Sequence, residues 1–401
     1  MSVLFQQTNI KGMELKNRLV RSATVEGMAD PDGAPTQDLF RLYERLAKGG
    51  VGLIITGAAY VSEDGKLPFY RMSAIRDEHI NSYRDLVKHV HGNDARIAMQ
   101  IVHAGRQTTK EAAGTQPIAP SAVEDKALFI KPRVMTEDDI ERVIEDFSLA
   151  ARRVREAGFD AVQIHAAHGY LINQFLCPHT NRRTDSWGGS LENRMRFVRA
   201  IYERCRKEVG EDFPILIKIN GNDNMKNGLK TEESAVMAEM MGEMGFDGIE
   251  VSCGIGEDGL SQLRGDLPIE AMLREWPMYR SKNFLFRFMM KHFGRKMMNT
   301  PPLVEAYNRE SARLIKSKVK VPVFLVGGVT DPAAMEEIVK NGDADYISLC
   351  RSLIADPGFV ERIRSGSKER SRCIHCNLCL AYVISYPLKC YNGKMIDNRG
   401  E

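Results

Sequence analysis

The sequence predicts a (β/α)8 TIM barrel, with an insertion after its sixth strand and a cysteine-rich extension at its C-terminal end. Two observations carry this expectation. Short β-rich apolar runs recur at 18–22, 53–56, 96–102, 161–165, 215–219, 248–252, 321–326 and 346–349. Helical patterns separate them, and strands alternating with helices over roughly 350 residues build a parallel sheet covered by helices. A doubly wound sheet is the competing architecture. It is usually marked by Gly-x-Gly-x-x-Gly after its first strand, and no such turn is visible here.

The helices between the runs have readable ends. Thr136-Glu-Asp-Asp139 reads as a capping box, followed by Ile140, Val143, Ile144, Phe147 and Val154 on one apolar stripe. Thr231-Glu-Glu opens a second helix. Asp331-Pro332 supplies an N-cap and a first-turn proline for a third, which stops near Asn341-Gly342. The barrel is expected to span residues 1–362 with its insertion at about 262–302, and the extension residues 363–401. Within the insertion, residues 279–298 carry basic side chains and no acidic ones. They read as a helix covering the barrel mouth with lysines and arginines on its wet side, the competing reading being a membrane-surface or partner-docking helix.

Composition narrows the function classes. The 401 residues are 43% hydrophobic and 27% charged, with a net charge of +3, which gives no nucleic-acid footprint. The N-terminal residues lack a basic region followed by an apolar core, and no apolar run reaches the length of a membrane span. A cytoplasmic protein without membrane contact is the expectation.

Chemistry concentrates behind the fourth run. Asp160-Ala-Val-Gln-Ile164 reads as a buried strand, and His165, His168 and Tyr170 follow where it ends. The C-terminal ends of strands are where barrel enzymes hold their reactive groups. Two N–H donors on one oxygen can stabilise a developing enolate, and a phenol can donate a proton from the opposite face. The more conspicuous string that follows, Asn181-Arg-Arg-Thr-Asp185 with Gly188-Gly-Ser190, reads as a loop organiser, with Ser190 as the N-cap of the next helix.

Four of the eight cysteines, Cys177, Cys205, Cys253 and Cys350, are scattered through apolar stretches, whereas Cys373, Cys376, Cys379 and Cys390 crowd the extension. Their spacing, C-x2-C-x2-C-x10-C, suits thiolate ligation of a metal, with an iron–sulfur cluster, tetrahedral zinc and free thiols as the alternatives.

Several strings occur together in a specific order: Lys16-Asn-Arg-Leu-Val-Arg-Ser-Ala-Thr24, Ile54-Ile-Thr-Gly57, Gln100-Ile-Val-His-Ala-Gly-Arg106, Ile217-Lys-Ile-Asn-Gly221, Val326-Gly-Gly328 and Leu349-Cys-Arg-Ser-Leu-Ile-Ala-Asp-Pro357. With the segment behind the fourth run, they resemble the Old Yellow Enzyme family, in the branch that contains 2,4-dienoyl-CoA reductase and trimethylamine dehydrogenase. The resemblance implies FMN at the C-terminal mouth of the barrel, with Ala23, Thr24 and Ala58 along the flavin ring and Gln100 at its pyrimidine edge. It places Lys218 beside N1 and O2, and Gly327, Gly328, Cys350 and Arg351 around the phosphate. It implies that His165 and His168 hold a carbonyl oxygen while Tyr170 protonates the neighbouring carbon.

The implied reaction is reduction of the C=C bond of an α,β-unsaturated carbonyl or thioester, with NAD(P)H as a donor. The alternatives are oxidative amine dehydrogenation or demethylation, and an electron-transfer subunit. The resemblance also favours a [4Fe-4S] cluster over zinc on Cys373, Cys376, Cys379 and Cys390. Beyond a small-molecule substrate, a second copy of the chain is an expected partner. Because cluster-bearing relatives continue into further domains and this sequence ends at Glu401, a cluster here implies a separate electron-transfer protein or a cluster kept mainly for structure. Three departures stand out. Val25 lies where the family often has threonine or cysteine near the flavin, Cys350 stands in the phosphate loop where glycine is common, and the loop Ser252-Cys-Gly-Ile-Gly-Glu-Asp258 lacks the histidine of the dienoyl-CoA reductases. A reductase of another substrate is therefore expected.

Overall fold

Eight parallel strands close on themselves in a computed structural model that describes residues 2–68, 71–258, 261–297 and 301–393. They are β1 (Leu19–Arg21), β2 (Leu53–Ile55), β3 (Arg96–Val102), β4 (Ala161–Ala166), β5 (Ile215–Asn220), β6 (Gly248–Ser252), β7 (Val323–Val326) and β8 (Tyr346–Leu349). Each strand pairs with its neighbours in chain order, and β8 returns to β1 to complete the barrel. All eight lie at the runs expected from sequence, with ends displaced by at most two residues.

The inside of the barrel is built in two layers. Near the strand starts, Val20, Leu53, Ile55, Ala98, Ala161, Leu216, Phe324 and Tyr346 form one apolar cluster. Ile10, Met13 and Leu15 plug it from below, on a hairpin of Thr8–Ile10 with Met13–Leu15. Two residues further along, where the side chain again points inward, β1, β3, β4, β5 and β8 present Ser22, Gln100, Gln163, Lys218 and Ser348, and β6 adds Glu250, all buried. The change from hydrocarbon to hydrogen-bonding groups marks the functional end.

The helices pack outside. They are α1 (Gln37–Lys48), α2 (Ile80–His91), α3 (Glu137–Glu156), α4 (Leu191–Val209), α5 (Thr231–Met244), α6 (Phe284–Met297), α7 (Arg309–Lys316) and α8 (Pro332–Lys340). The α3 capping box is reciprocal: Asp139 N–H donates to Thr136 Oγ1 at 3.1 Å and Thr136 N–H to the Asp139 carboxylate at 2.7 Å. Ser190 caps α4 through Asn193 N–H, and Asp331 caps α8 through Ala333 N–H. The Asn181–Asp185 string is scaffold, as expected. Asn181 donates to the carbonyls of Phe175 and Trp187, and Arg183 to those of Pro120 and Met135.

The insertion departs from expectation. Helix Ile269–Glu275 packs against Leu378–Tyr382 of the tail, so Leu267, Met272, Met290 and Ala381 share a small core with Trp276. Helix α6 lies on this core, but Phe284 (81% exposed), Leu285, Phe288 and Phe293 face outward. Its wet side is therefore apolar as well as basic. Arg287 instead turns inward to the carbonyl of Leu273. Met298 and the rest of 298–300, and residues 394–401 of the tail, lie outside the described residues. No helix among the described residues is long and apolar enough to cross a membrane.

Candidate active site

The polar upper layer forms the floor of a cavity at the C-terminal mouth. Gln100 Nε2 donates to Gln163 Oε1 at 2.6 Å, and Gln163 Nε2 to Glu250 Oε2 at 3.1 Å. The same carboxylate oxygen lies 3.1 Å from Lys218 Nζ, which also donates to Ser22 Oγ at 2.9 Å. The Lys218–Glu250 pair is buried on both sides. In low dielectric, such a charge is tolerated only with an opposite charge and hydrogen bonds around it. Glu250 Oε1 and Ser348 Oγ have no partner among the described residues. The chain Gln100–Gln163–Glu250–Lys218–Ser22 thus ties five strands into one network.

The histidine pair sits on a tight turn after β4. His168 has φ +60°, a conformation costly for a residue with a Cβ, and Gly169 follows at φ +80°. Two side chains hold the turn: Asn220 Oδ1 accepts from His168 N–H at 3.1 Å, and Gln107 Nε2 donates to the His168 carbonyl at 2.7 Å. A side chain at Gly169 would press on that Gln107 amide at 2.9 Å. The turn brings the His165 and His168 rings edge to face at 5.1 Å and places Tyr170 at 4.8 Å from His165.

Both imidazoles are held neutral. Burial pushes the His165 pKa well below its ordinary value, and the fields of His168, Lys218 and Arg71 add to the effect. Burial likewise lowers His168 to about 3, with Lys218 as the second cause. The tautomer of His165 follows from its neighbour: Nδ1 accepts the Ala167 N–H at 3.2 Å, so the ring proton is on Nε2. His168 Nε2 lies 2.7 Å from Ser252 Oγ, leaving Nδ1 for a ligand.

At the far side, Gly327 and Gly328 have φ +140° and +68°, and a Cβ on either would strike the Tyr307 ring at 2.7–2.8 Å. Tyr307 lies under the Arg264 guanidinium, 4.2 Å from ring centroid to Cζ. Arg351 Nη1 donates to Arg264 O at 2.7 Å and Asn377 Oδ1 at 2.6 Å, and its Nε and Nη2 have no acceptor among the described residues. Thr24 Oγ1 lies 3.1 Å from Cys350 Sγ. Ala23, Thr24, Val25, Ala58, Gln100, Lys218, Gly327, Gly328, Cys350 and Arg351 line the same cavity as His165, His168 and Tyr170.

The four tail cysteines line one small adjoining cavity with Arg351 and Arg372, and Cys379 also reaches the main cavity. Among the described residues, no three Cys, His, Asp or Glu side chains converge closely enough to hold a metal ion. The expected iron–sulfur or zinc ligation is thus not shown. Burial raises the Cys379 thiol to about 12, with Cys350 and Cys373 adding to it.

Residues 3–254 and 287–370 match the model of the NADH:flavin oxidoreductase / NADH oxidase family. The chain belongs to that family. It is 35% identical over 398 residues to the NADH oxidase of Thermoanaerobacter brockii, covering 98% of this chain and 54% of that one. Over 357 residues it is 34% identical to the NADPH dehydrogenase of a Geobacillus species, covering 89% and 92% of the two chains. A solved 2-naphthoyl-CoA reductase in complex with 2-naphthoyl-CoA superposes with a TM-score of 0.82 at 26% identity, covering 98% of this chain and 57% of that one. The chain thus spans about half the length of the NADH oxidase and of that reductase, and nearly the whole length of the NADPH dehydrogenase.

FMN is the cofactor of this NADH:flavin oxidoreductase fold, and the residues present fit it. Gln100 and Lys218 supply a donor and a cation on the floor, the unpartnered Ser348 Oγ a site for a hydroxyl or phosphate oxygen, and the free nitrogens of Arg351 an anion contact. Several contributors escaped the sequence reading: Ser22, Gln163 and Glu250 in the floor, Gln107, Asn220 and Ser252 behind the histidines, and Arg71, Arg264 and Tyr307 at the rim. For the floor a signal existed, since Gln163 and Glu250 are lone polar residues inside apolar strands. The residues at the other strand ends and in the loops carried none.

Proposed function

We propose that the chain is an FMN-dependent ene-reductase that takes electrons from NADH or NADPH and reduces the C=C bond of an α,β-unsaturated carbonyl or thioester. The observation that carries this is the cluster of two neutral imidazoles and a phenol in a single cavity above the Lys218 floor. Bound FMN supplies the hydride. His165 Nε2–H and His168 Nδ1–H hold the carbonyl oxygen and stabilise the charge that develops on it. Because both rings stay neutral, they bind the carbonyl as hydrogen-bond donors across the neutral pH range. Tyr170 delivers the proton to the α-carbon. Lys218, fixed by Glu250 and Ser22, presents a positive charge to the cofactor's pyrimidine edge.

The test is anaerobic reduction of the flavin by NADH or NADPH, followed by reoxidation with a panel of enones. His165→Ala and Tyr170→Phe are each expected to slow reoxidation roughly 100-fold or more. Enone reduction that survives both changes together removes the assignment, and unchanged electron delivery to a protein acceptor favours the electron-transfer subunit.

Amine oxidation is the weaker reading. A cationic substrate is held by aromatic faces or carboxylates. Among the described residues, Tyr170 and Tyr307 are the only phenyl-type rings at the cavity, and no Asp or Glu lines it.

For the tail we infer thiolate ligation by Cys373, Cys376, Cys379 and Cys390, supported by their shared cavity beside the flavin site. A [4Fe-4S] cluster is the preferred occupant and zinc the alternative. Iron and acid-labile sulfide in anaerobically purified protein test it: stoichiometric zinc without sulfide excludes the cluster.

A further inference from the structure

The charged residues that line the active-site cavity are all of one sign, and the Glu250 carboxylate of its floor is paired with Lys218. Arg71, Lys218 and Arg351 line it, and among the described residues no carboxylate does. Two of the three cations are engaged. Lys218 is held by Glu250 and Ser22, and Arg351 by Arg264 O and Asn377. Arg71 is different. It makes no hydrogen bond among the described residues, and its Nε is buried without a partner.

A guanidinium stays charged at any ordinary pH, so burial does not neutralise it as it would a lysine. Desolvation is the largest influence on Arg71 and lowers its pKa, while Tyr170 and Glu26 partly oppose this. Arg71 as a whole is partly buried, but its Nε is shielded from water without an acceptor, a costly arrangement that a ligand's carboxylate would complete.

The position of Arg71 shows which ligand it faces. The next residues are fixed to the end of the barrel wall: Tyr60 N–H donates to Met72 O at 3.1 Å, and Ala74 N–H to Tyr60 O at 2.9 Å. Met72 and Ser73 are buried. Arg71 thus directly precedes a fixed segment, and its side chain lines the same cavity as His165 and Tyr170. The phosphate side, with Gly327, Gly328 and Arg351, is formed by the ends of β7 and β8 instead. Arg71 belongs to the substrate end.

We propose that Arg71 is the recognition residue for a carboxylate carried by the substrate, so that the preferred class is an unsaturated carbonyl compound bearing a free acid group remote from the carbonyl. This rests on the reading above, in which His165 and His168 take the carbonyl oxygen. The planar guanidinium matches a carboxylate with two parallel N–H donors, and pairing inside a cavity exceeds what an exposed pair gives. The acid group then fixes which end of the alkene lies beneath Tyr170, so Arg71 acts on binding and orientation and moves no proton itself.

The experiment uses the oxidised holoenzyme, titrated with 3-oxocyclohex-1-ene-1-carboxylate and separately with its methyl ester, with binding read from the flavin absorbance change. The acid is expected to bind more tightly than the ester. Arg71→Gln should weaken acid binding roughly 10- to 100-fold, the scale of a hydrogen bond to a charged group, and leave the ester within about twofold. Arg71→Lys should recover part of the preference, since it restores charge without the fork.

Equal binding of acid and ester by the unmodified enzyme overturns the proposal without any variant. So does equal loss of both ligands in Arg71→Gln, or a rise in the NADPH KM of that variant with acid binding unchanged, which would assign the guanidinium to the nucleotide phosphate. Arg71-dependent binding of an acid that the reduced enzyme then fails to reduce supports the carboxylate site while removing the ene-reductase reading.

Discussion

Two layers inside one barrel, separated by a single inward step along each strand, have opposite characters. The lower layer, with Leu216, Phe324 and Tyr346, is hydrocarbon and stacked rings; Phe324 and Tyr346 lie parallel at 4.5 Å. The upper layer, with Gln100, Gln163, Lys218 and Glu250, is a hydrogen-bonded chain around a buried ion pair. The lower layer gains from burial whatever lies above it. The upper layer gains little net stability from its charges, because their attraction must first offset their desolvation. Its residue types are explained by the cavity it floors, and the barrel tolerates them because the hydrocarbon below holds the strands.

The sharpest way to break this contrast is Lys218→Met. It strands the Glu250 carboxylate in the interior and should cost about 3–5 kcal/mol of stability, read from urea unfolding. Adding Glu250→Met should restore most of that loss while leaving flavin binding impaired. A double variant as unstable as the single one would mean that the pair supports the fold. In the lower layer, Phe324→Ala should cost a comparable ~3–5 kcal/mol by opening a cavity, with enone binding unchanged in the protein that remains folded.

Acid titration sharpens the same contrast with a smaller effect. The folded His168 pKa of about 3 lies below its ordinary value of 6.5, so the unfolded chain binds a proton that the folded chain refuses. Its contribution is full above pH 6.5 and is lost as pH falls toward 3. His168→Asn, a residue that tolerates the left-handed backbone, should remove up to about 1.4 kcal/mol per pH unit of that slope. Lower-layer variants should leave the slope as it is. The smallest effect is expected for Ser252→Ala, which removes the hydrogen bond to His168 Nε2 and should cost about 0.5–1.5 kcal/mol in enone binding, measured by flavin titration.

How much of this could be read from the sequence follows from the same layering. The eight strands were legible because each is a compact apolar run, and α3, α4 and α8 because their caps are local side-chain chemistry. His165, His168 and Tyr170 were legible because one strand end delivers all three. Ser252, Asn220 and Gln107 were not, since they come from the ends of β6 and β5 and the loop after β3 and meet the histidines only in the closed barrel. Arg71 sits in a stretch with no periodic signal at all. The basic residues of α6 show only part of its outer face, where Lys291 stands among exposed Phe284, Leu285, Phe288 and Phe293 while Met290 and Phe286 are committed to the small core.

The clasp on Arg351 joins two parts of the molecule in one equilibrium. Its guanidinium reaches the cofactor cavity while Asn377, two residues from Cys379, and Arg264 of the insertion hold its other face. An order-creating event in the tail, such as ligation of its thiols, therefore preorganises an anion contact for the cofactor. By thermodynamic reciprocity, a bound cofactor anion steadies the tail by the same free energy. Flavin retention during dialysis, compared before and after alkylation of the tail thiols, measures that exchange from one side, and thiol protection by added FMN measures it from the other.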